Sequence, residues 1–224
     1  LPGLLQFVCS SLWNLHIQMP DLQSIFLSLS SRYTDDKQLS DRLWKEIEKA
    51  YSGKKRHYHN LVHLEHLYRQ LETIRSETGD WDILLFALFY HDIVYKVSRH
   101  DNEEKSAELA RERLAELNIP EERTERCVAH ILATKGHSIA VDSDTNLFTD
   151  ADLSILGQPQ QVYAEYCLQV RREYAVYPDF LYKPGRKKVL RHFLEMERIF
   201  KTAHFYEALE MNARANLRWE LEQD

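Results

Sequence analysis

Residues 81 to 95 read Trp-Asp-Ile-Leu-Leu-Phe-Ala-Leu-Phe-Tyr-His-Asp-Ile-Val-Tyr, apolar nearly all round. That pattern predicts a helix buried on every side, with the rest of the chain packed about it. Within it stands His91-Asp92, an ionisable pair whose burial is costly unless it is ion-paired or bound to a metal. Neighbours lie about 100° apart around a helix, so both reach one ion only if the helix turns its edge toward it.

Two further segments offer partners for that pair. One is Arg56-His57-Tyr58-His59-Asn60-Leu61-Val62-His63 and the other is Thr149-Asp150-Ala151-Asp152-Leu153-Ser154. With His91-Asp92 they supply imidazoles and a pair of carboxylates, borderline and hard donors suited to a divalent transition metal that activates water. His59 and His63 are four apart; on a helix they share a face, roughly 5 to 6 Å between Cβ atoms. One can then hold a metal while the other faces a substrate.

The order His, His-Asp, Asp on an otherwise helical chain resembles the HD superfamily of metal-dependent phosphohydrolases, over about residues 56 to 156. Tyr58-His59-Asn60-x-x-His63 is similar to the stretch of cyclic-nucleotide phosphodiesterases in which the first histidine protonates the leaving group and the second binds metal. Ala151-Asp152-Leu153-Ser154 resembles the segment carrying the last aspartate ligand. The resemblance implies His63, His91, Asp92 and Asp152 as ligands and His59 as general acid. Smaller members take their first ligand from a His-Ser-Leu-x-Val pattern. His59-Asn60-Leu61-Val62-His63 can also be read that way, with the roles of His59 and His63 exchanged. Members with two metals carry extra histidines before the last aspartate, a placement that His130 and His137 match. Others use an acidic residue just beyond the His-Asp pair in catalysis, which points to Glu104 or Asp101. The bland account of those two is a capping box, Asp101 followed three residues later by Glu104.

Candidate phosphate contacts are Lys55 and Arg56, in a basic turn with Lys54 ahead of the His59 segment, and Lys96 and Arg99 after the His-Asp pair. Cations near a helix start would attract an anion there; a solvated basic turn is the alternative. Arg186, Lys187 and Lys188 follow Pro184-Gly185 and would fall in a helix's first turn, where cations are disfavoured. His66 lies on nearly the face of His59, two turns on, and reads first as a hydrogen-bonded core residue. His57 reads as structural or exposed. Asp150 reads as an orienter of a ligand or as an exposed cap.

The remaining pattern is helical. Apolar spacings mark helices at about 21–33, 39–51 (capped by Ser40 or Asp41), 59–78, after Asp101, after Pro120, after Pro159 and twice more in the C-terminal part, 158–224. An all-α single domain of eight to ten helices is expected, an HD-type bundle with additional C-terminal helices, spanning 19–224. Residues 1–18 read as an extension ahead of a natural start at Met19. The 29 basic and 35 acidic residues give a net charge of −6, which argues against a broad nucleic-acid footprint. Cys9, Cys127 and Cys167 form no CxxC, so neither a disulfide framework nor a zinc-thiolate site is indicated, and a reducing cytoplasm fits. The longest apolar run is too short to span a bilayer.

The expected activity is hydrolysis of a phosphate ester in a nucleotide or other small molecule, with one or two ions of Mn, Fe, Co, Ni or Zn. Alternatives are a di-iron oxygenase of the same ligand order and a non-catalytic metal- or nucleotide-binding domain. The Tyr-rich C-terminal helices could also form a homo-oligomer interface.

Overall fold

A computed structural model describes residues 20–223. The expected extension at 1–18 and the start at Met19 lie outside the described residues. Among the described residues there are ten α-helices, two short 3₁₀ helices and no strand, as the helical spacing predicts.

The helix Trp81–Tyr90 (α4, counting from α1 Leu22–Ser30, α2 Lys37–Tyr51 and α3 Leu61–Thr73) forms the centre. Every residue from Ile83 to Tyr90 is buried. Its Phe89 ring stands edge-on to Phe26 of α1 at 5.1 Å and to Trp44 of α2 at 6.3 Å. The helices α5 (Asn102–Glu116) and α6 (Glu121–Ala133) close its other sides. Full burial of such side chains is worth roughly 1.5 to 3 kcal/mol each, an upper bound because the unfolded chain is already partly compact. Carboxylates fix where the helix starts. Asp80 caps it, accepting from the Ile83 N–H at 3.3 Å and holding Arg123 of α6 through both oxygens at 2.7 and 2.8 Å. Asp144, in the first turn of α7 (Ser143–Asp152), accepts from the Gly79 and Asp80 N–H groups, both at 2.8 Å.

Several element ends differ from the sequence expectation, each for a local reason. The helix expected at 59–78 begins at Leu61, because Asn60 caps it: Asn60 Oδ1 accepts from the Val62 and His63 N–H groups at 2.9 and 3.4 Å. His59 therefore precedes the helix. The apolar run to Tyr95 is helical only to Tyr90, so His91 and Asp92 lie where the chain leaves α4. The helix expected at 39–51 starts at Lys37 under Asp36, whose Oδ1 accepts from the Leu39 N–H at 3.0 Å. No capping box forms at Asp101, because both its oxygens bind Arg99, at 2.7 and 2.8 Å.

The C-terminal helices are α8 (Gln160–Glu173), α9 (Asp179–Glu195) and α10 (Ala203–Gln223). Pro184 sits inside α9. Arg186, Lys187 and Lys188 are thus mid-helix residues rather than a first turn. Asp150 is fully buried and anchors the start of α10. It accepts from the Lys201 and Thr202 N–H groups, and the Lys201 ammonium lies 2.9 Å away. The 3₁₀ helix Leu153–Gly157 packs directly on α10. No helix among the described residues is long and apolar enough to cross a membrane.

A Cβ placed on Gly157 would meet Leu209 Cβ at 2.5 Å and the Leu209 carbonyl oxygen at 2.8 Å. Gly157→Ala is therefore expected to lower unfolding stability by about 1 to 3 kcal/mol, measured as a drop in denaturant midpoint at unchanged slope.

Candidate metal centre

The end of α4 delivers His91. Its Nδ1 lies 2.9 Å from the Leu88 carbonyl oxygen, one turn back, so the ring donates there and turns Nε2 outward. This is the bond that usually fixes the tautomer of a metal-binding histidine. His63, one turn into α3, is buried and brings its Nε2 to 3.1 Å from His91 Nε2. Asp152, the last residue of α7, places Oδ1 at 3.4 Å from His63 Nε2 and 3.7 Å from His91 Nε2. The ligand atoms of these three all lie within 4.8 Å of one another. Asp92 approaches from another side, its Oδ2 3.3 Å from His91 Nε2 and 4.0 Å from His63 Nε2.

These spacings fit a transition metal. Adjacent donors about 2.0 to 2.2 Å from one ion stand roughly 2.8 to 3.6 Å from each other, a range that holds the His63–His91, His63–Asp152 and His91–Asp92 pairs, while His91–Asp152 and His63–Asp92 are wider. The electrostatics point the same way. Burial works against a charged Asp152, but the hydrogen bond from His63 and the nearby imidazoles outweigh it and hold the carboxyl at about 2. Asp92 is likewise buried, and His91 and His59 carry it far below the usual carboxylate range. Burial alone would lower His91, yet Asp92 and Asp152 push it up to about 9. His63 is lowered by burial. Two ionised carboxylates, 17% and 15% exposed, call for positive charge, which a protonated His91 or a bound cation can supply.

His59 lies beside this group on the loop before α3, its Nε2 3.9 Å from Asp92 Oδ2. The other face of the ring is held by Glu173, the last residue of α8. Glu173 Oε2 lies 2.7 Å from His59 Nδ1, and its Oε1 accepts from the Tyr58 and His59 backbone N–H groups at 2.8 and 2.9 Å. Tyr95 donates its hydroxyl to Oε2 at 2.9 Å and stacks on the His59 ring at 4.2 Å. Burial opposes ionisation of Glu173, but these donors hold it at about 2. Burial also opposes a charged His59, and is outweighed by Asp92 and by Glu173, so the His59 pKa is raised.

Glu173 has no place in the sequence reading. A signal was present: Tyr163, Tyr166, Val170 and Glu173 continue one 3,4,3 stripe, so an acid occupies the next position of a buried face.

Arg56, expected at a phosphate, is committed to carbonyl groups. It donates to His59 O at 3.1 Å, Asp92 O at 2.7 Å and Ile93 O at 2.8 Å, tying the His59 loop to the end of α4. Lys55 and Lys96 are exposed and do not line the cavity above the centre. Arg99 lines it, bound to Asp101. Glu104 pairs with Lys135, and it is Glu103 that faces the cavity. His137 brings its Nε2 to 3.9 Å from the second oxygen of Asp152, and its Nδ1 is buried without a partner. His130 is buried as its spacing implies, but its Nδ1 is 2.8 Å from the Thr145 hydroxyl and 3.8 Å from Asp142. His66 and His57 are exposed.

No family model, curated protein or solved structure matches this chain.

Removing the Glu173 charge while keeping its shape should release His59. In metal-free protein, Glu173→Gln is expected to lower the His59 pKa, read from its imidazole NMR resonances as pH is varied. An unchanged titration would show that Glu173 does not act on the ring. The same contact carries a stability sign. Glu173 titrates at about 2, below its ordinary 4.5, so its contribution is complete above 4.5 and fades as pH falls toward 2.

Proposed function

We propose that this protein is a metal-dependent phosphohydrolase of the HD type. The observation that carries the reading is the convergence of His63, His91 and Asp152 at ligand spacing, with Asp92 3.3 Å from His91 and the His59–Glu173 pair at the edge. These four side chains would hold a divalent transition metal such as Mn, Fe, Co, Ni or Zn. When bound, such an ion supplies Lewis-acid polarisation of a phosphoryl oxygen and a water acidified to near neutrality.

The chain's own residues supply the rest. His59 has its Nδ1 proton committed to Glu173, so Nε2 is the atom that faces the centre and carries the transferable proton. A raised pKa keeps that proton on the ring at neutral pH, as a general acid for a departing alkoxide requires. Glu173 and Tyr95 hold the ring plane, which limits the search for productive geometry. Arg56 keeps the His59 loop and the Asp92 turn at fixed separation. Burial of His63 and His91 behind Asp92, Asp152 and His59 leaves the last three as the groups that border the cavity.

The geometry favours His63 as ligand and His59 as acid over the exchanged assignment, since Nε2 of His63, not of His59, stands 3.1 Å from His91 and 3.4 Å from Asp152. A second ion on the outer oxygen of Asp152 would take His137 as its protein donor.

Two variants separate the roles. Asp152→Ala is expected to lose bound metal, measured by elemental analysis of protein purified without chelator, together with all turnover. His59→Ala is expected to retain metal and to lose about 10² to 10⁴ in kcat. A His59 variant without metal would reverse the assignment. An unaltered protein that takes up no transition metal on reconstitution would overturn the hydrolase reading.

A further inference from the structure

The basic group Arg186-Lys187-Lys188 plays no part in the metal centre, and the fold divides it. Arg186 turns inward, giving Nε and Nη2 to Glu220 at 2.8 and 2.9 Å. Lys187 is half-buried and Lys188 exposed, as is Arg191 one turn further on. None of these last three has an ion-pair partner among the described residues. By contrast, Arg99 and Lys135 beside the cavity are matched by Asp101 and Glu104. From Tyr174 to Leu194 the sequence holds five basic residues and one acid, Asp179, which Arg171 already binds at 2.6 Å. A chain of net charge −6 thus carries a helix with unmatched positive charge.

The same stretch is apolar where it meets water. Ten large apolar side chains are exposed among the described residues, and four of them, Val176, Phe180, Leu181 and Val189, fall here. Such concentration marks a patch rather than the usual single exposures. Val176 is 71% exposed and Phe180 74%. The tyrosines of α8 and α9, expected at an interface between copies, line the cavity instead.

Helix geometry puts both kinds of residue on one side of α9. At about 100° per residue, Arg191 stands about 20° from Phe180, three turns on, and Lys188 about 20° from Leu181, two turns on. Leu190, the one fully buried residue of α9, lies well round on the other side. The outer face is therefore apolar in its first turn and basic in the turns that follow, until Glu195 ends it.

Apolar anchors beside unmatched cations are the pattern of a helix that lies in a membrane interface without spanning it. A second copy meeting this face through a two-fold axis would set the same cations against each other. A peptide helix would need a groove, and the outer face of a single helix offers none. We infer that the outer face of α9 docks on an anionic lipid surface. Phe180 and Leu181 enter the interfacial layer, and Lys187, Lys188 and Arg191 meet the headgroups. Leu181 and Val189 also line the cavity, so docking brings its mouth to the lipid.

The test is co-sedimentation of the full chain with vesicles of phosphatidylcholine alone and of phosphatidylcholine mixed with phosphatidylserine. Binding is expected to the anionic vesicles only, and to fade with added salt. Lys188→Gln with Arg191→Gln should weaken it about 25-fold, at about fivefold per cation. Phe180→Ser with Leu181→Ser should weaken it at least about tenfold. Lys45→Gln with Lys49→Gln, an equal loss of charge on α2, should leave it unchanged. All six positions are exposed, so the variants are expected to keep the unfolding midpoint of the unaltered protein. Absence of binding to both vesicles, or binding that the α9 variants leave unaltered, would overturn the inference. So would a dimer that Phe180→Ser dissociates in sedimentation, which would give the face to a second copy. Capture of a glutamate-rich amphipathic peptide without vesicle binding would overturn it too, and would give the face to an acidic protein.

Discussion

Two carboxylates and two imidazoles gathered at the floor of a cavity leave negative charge stranded unless positive charge lies among them. In this protein Asp92, Asp152, His63 and His91 stand in that relation, and they come from the end of α4, the end of α7 and the first turns of α3. Both carboxylates stand at or just past a helix C-terminus, where the backbone adds further partial negative charge. The negative charge of the centre therefore comes from side chains and main chain alike.

The support of the centre is built from committed charges. Arg56 binds three carbonyl groups rather than an anion, and so couples the loop of His59 to the turn of Asp92. Glu173 gathers four donors on one carboxylate. Asp144 and Asp80 fix where α4 begins, and Asp150 fixes where α10 begins. Buried ionic groups of this kind are costly to strand and specific in geometry, so they set register more than they add net stability. The cavity inherits the consequence. Its lining cations Arg99, Lys135 and Arg186 are already paired with Asp101, Glu104 and Glu220.

Much of this was legible in the chain. An apolar run with no polar face can only be an interior helix, and a His-Asp pair at its end needs compensation; both statements follow from transfer energies alone. Helix boundaries were less legible. Asn60 competes for the start of α3 and takes it as the cap, so the helix begins at Leu61 and His59 lies two residues ahead of it. Pro184-Gly185 reads as the lead-in to a new helix, yet both lie inside α9, because packing of a long helix can outweigh one missing hydrogen bond. Asp101 and Glu104 have the spacing of a capping box, but Arg99 and Lys135 claim them.

What the sequence by itself determined is the all-helical class, the buried central helix and the residue types able to hold a metal, since these depend on periodicity and on the chemistry of single side chains. Only the tertiary structure decided which of the candidates meet. His63, His91, Asp92 and Asp152 converge, His137 stands at the rim, and His130 is drawn to Thr145. Glu173 reaches His59 from 114 residues away, and no local pattern encodes such a contact. Side-chain chemistry is a property of the residue, whereas distances of 3 Å between segments are set by how helices pack.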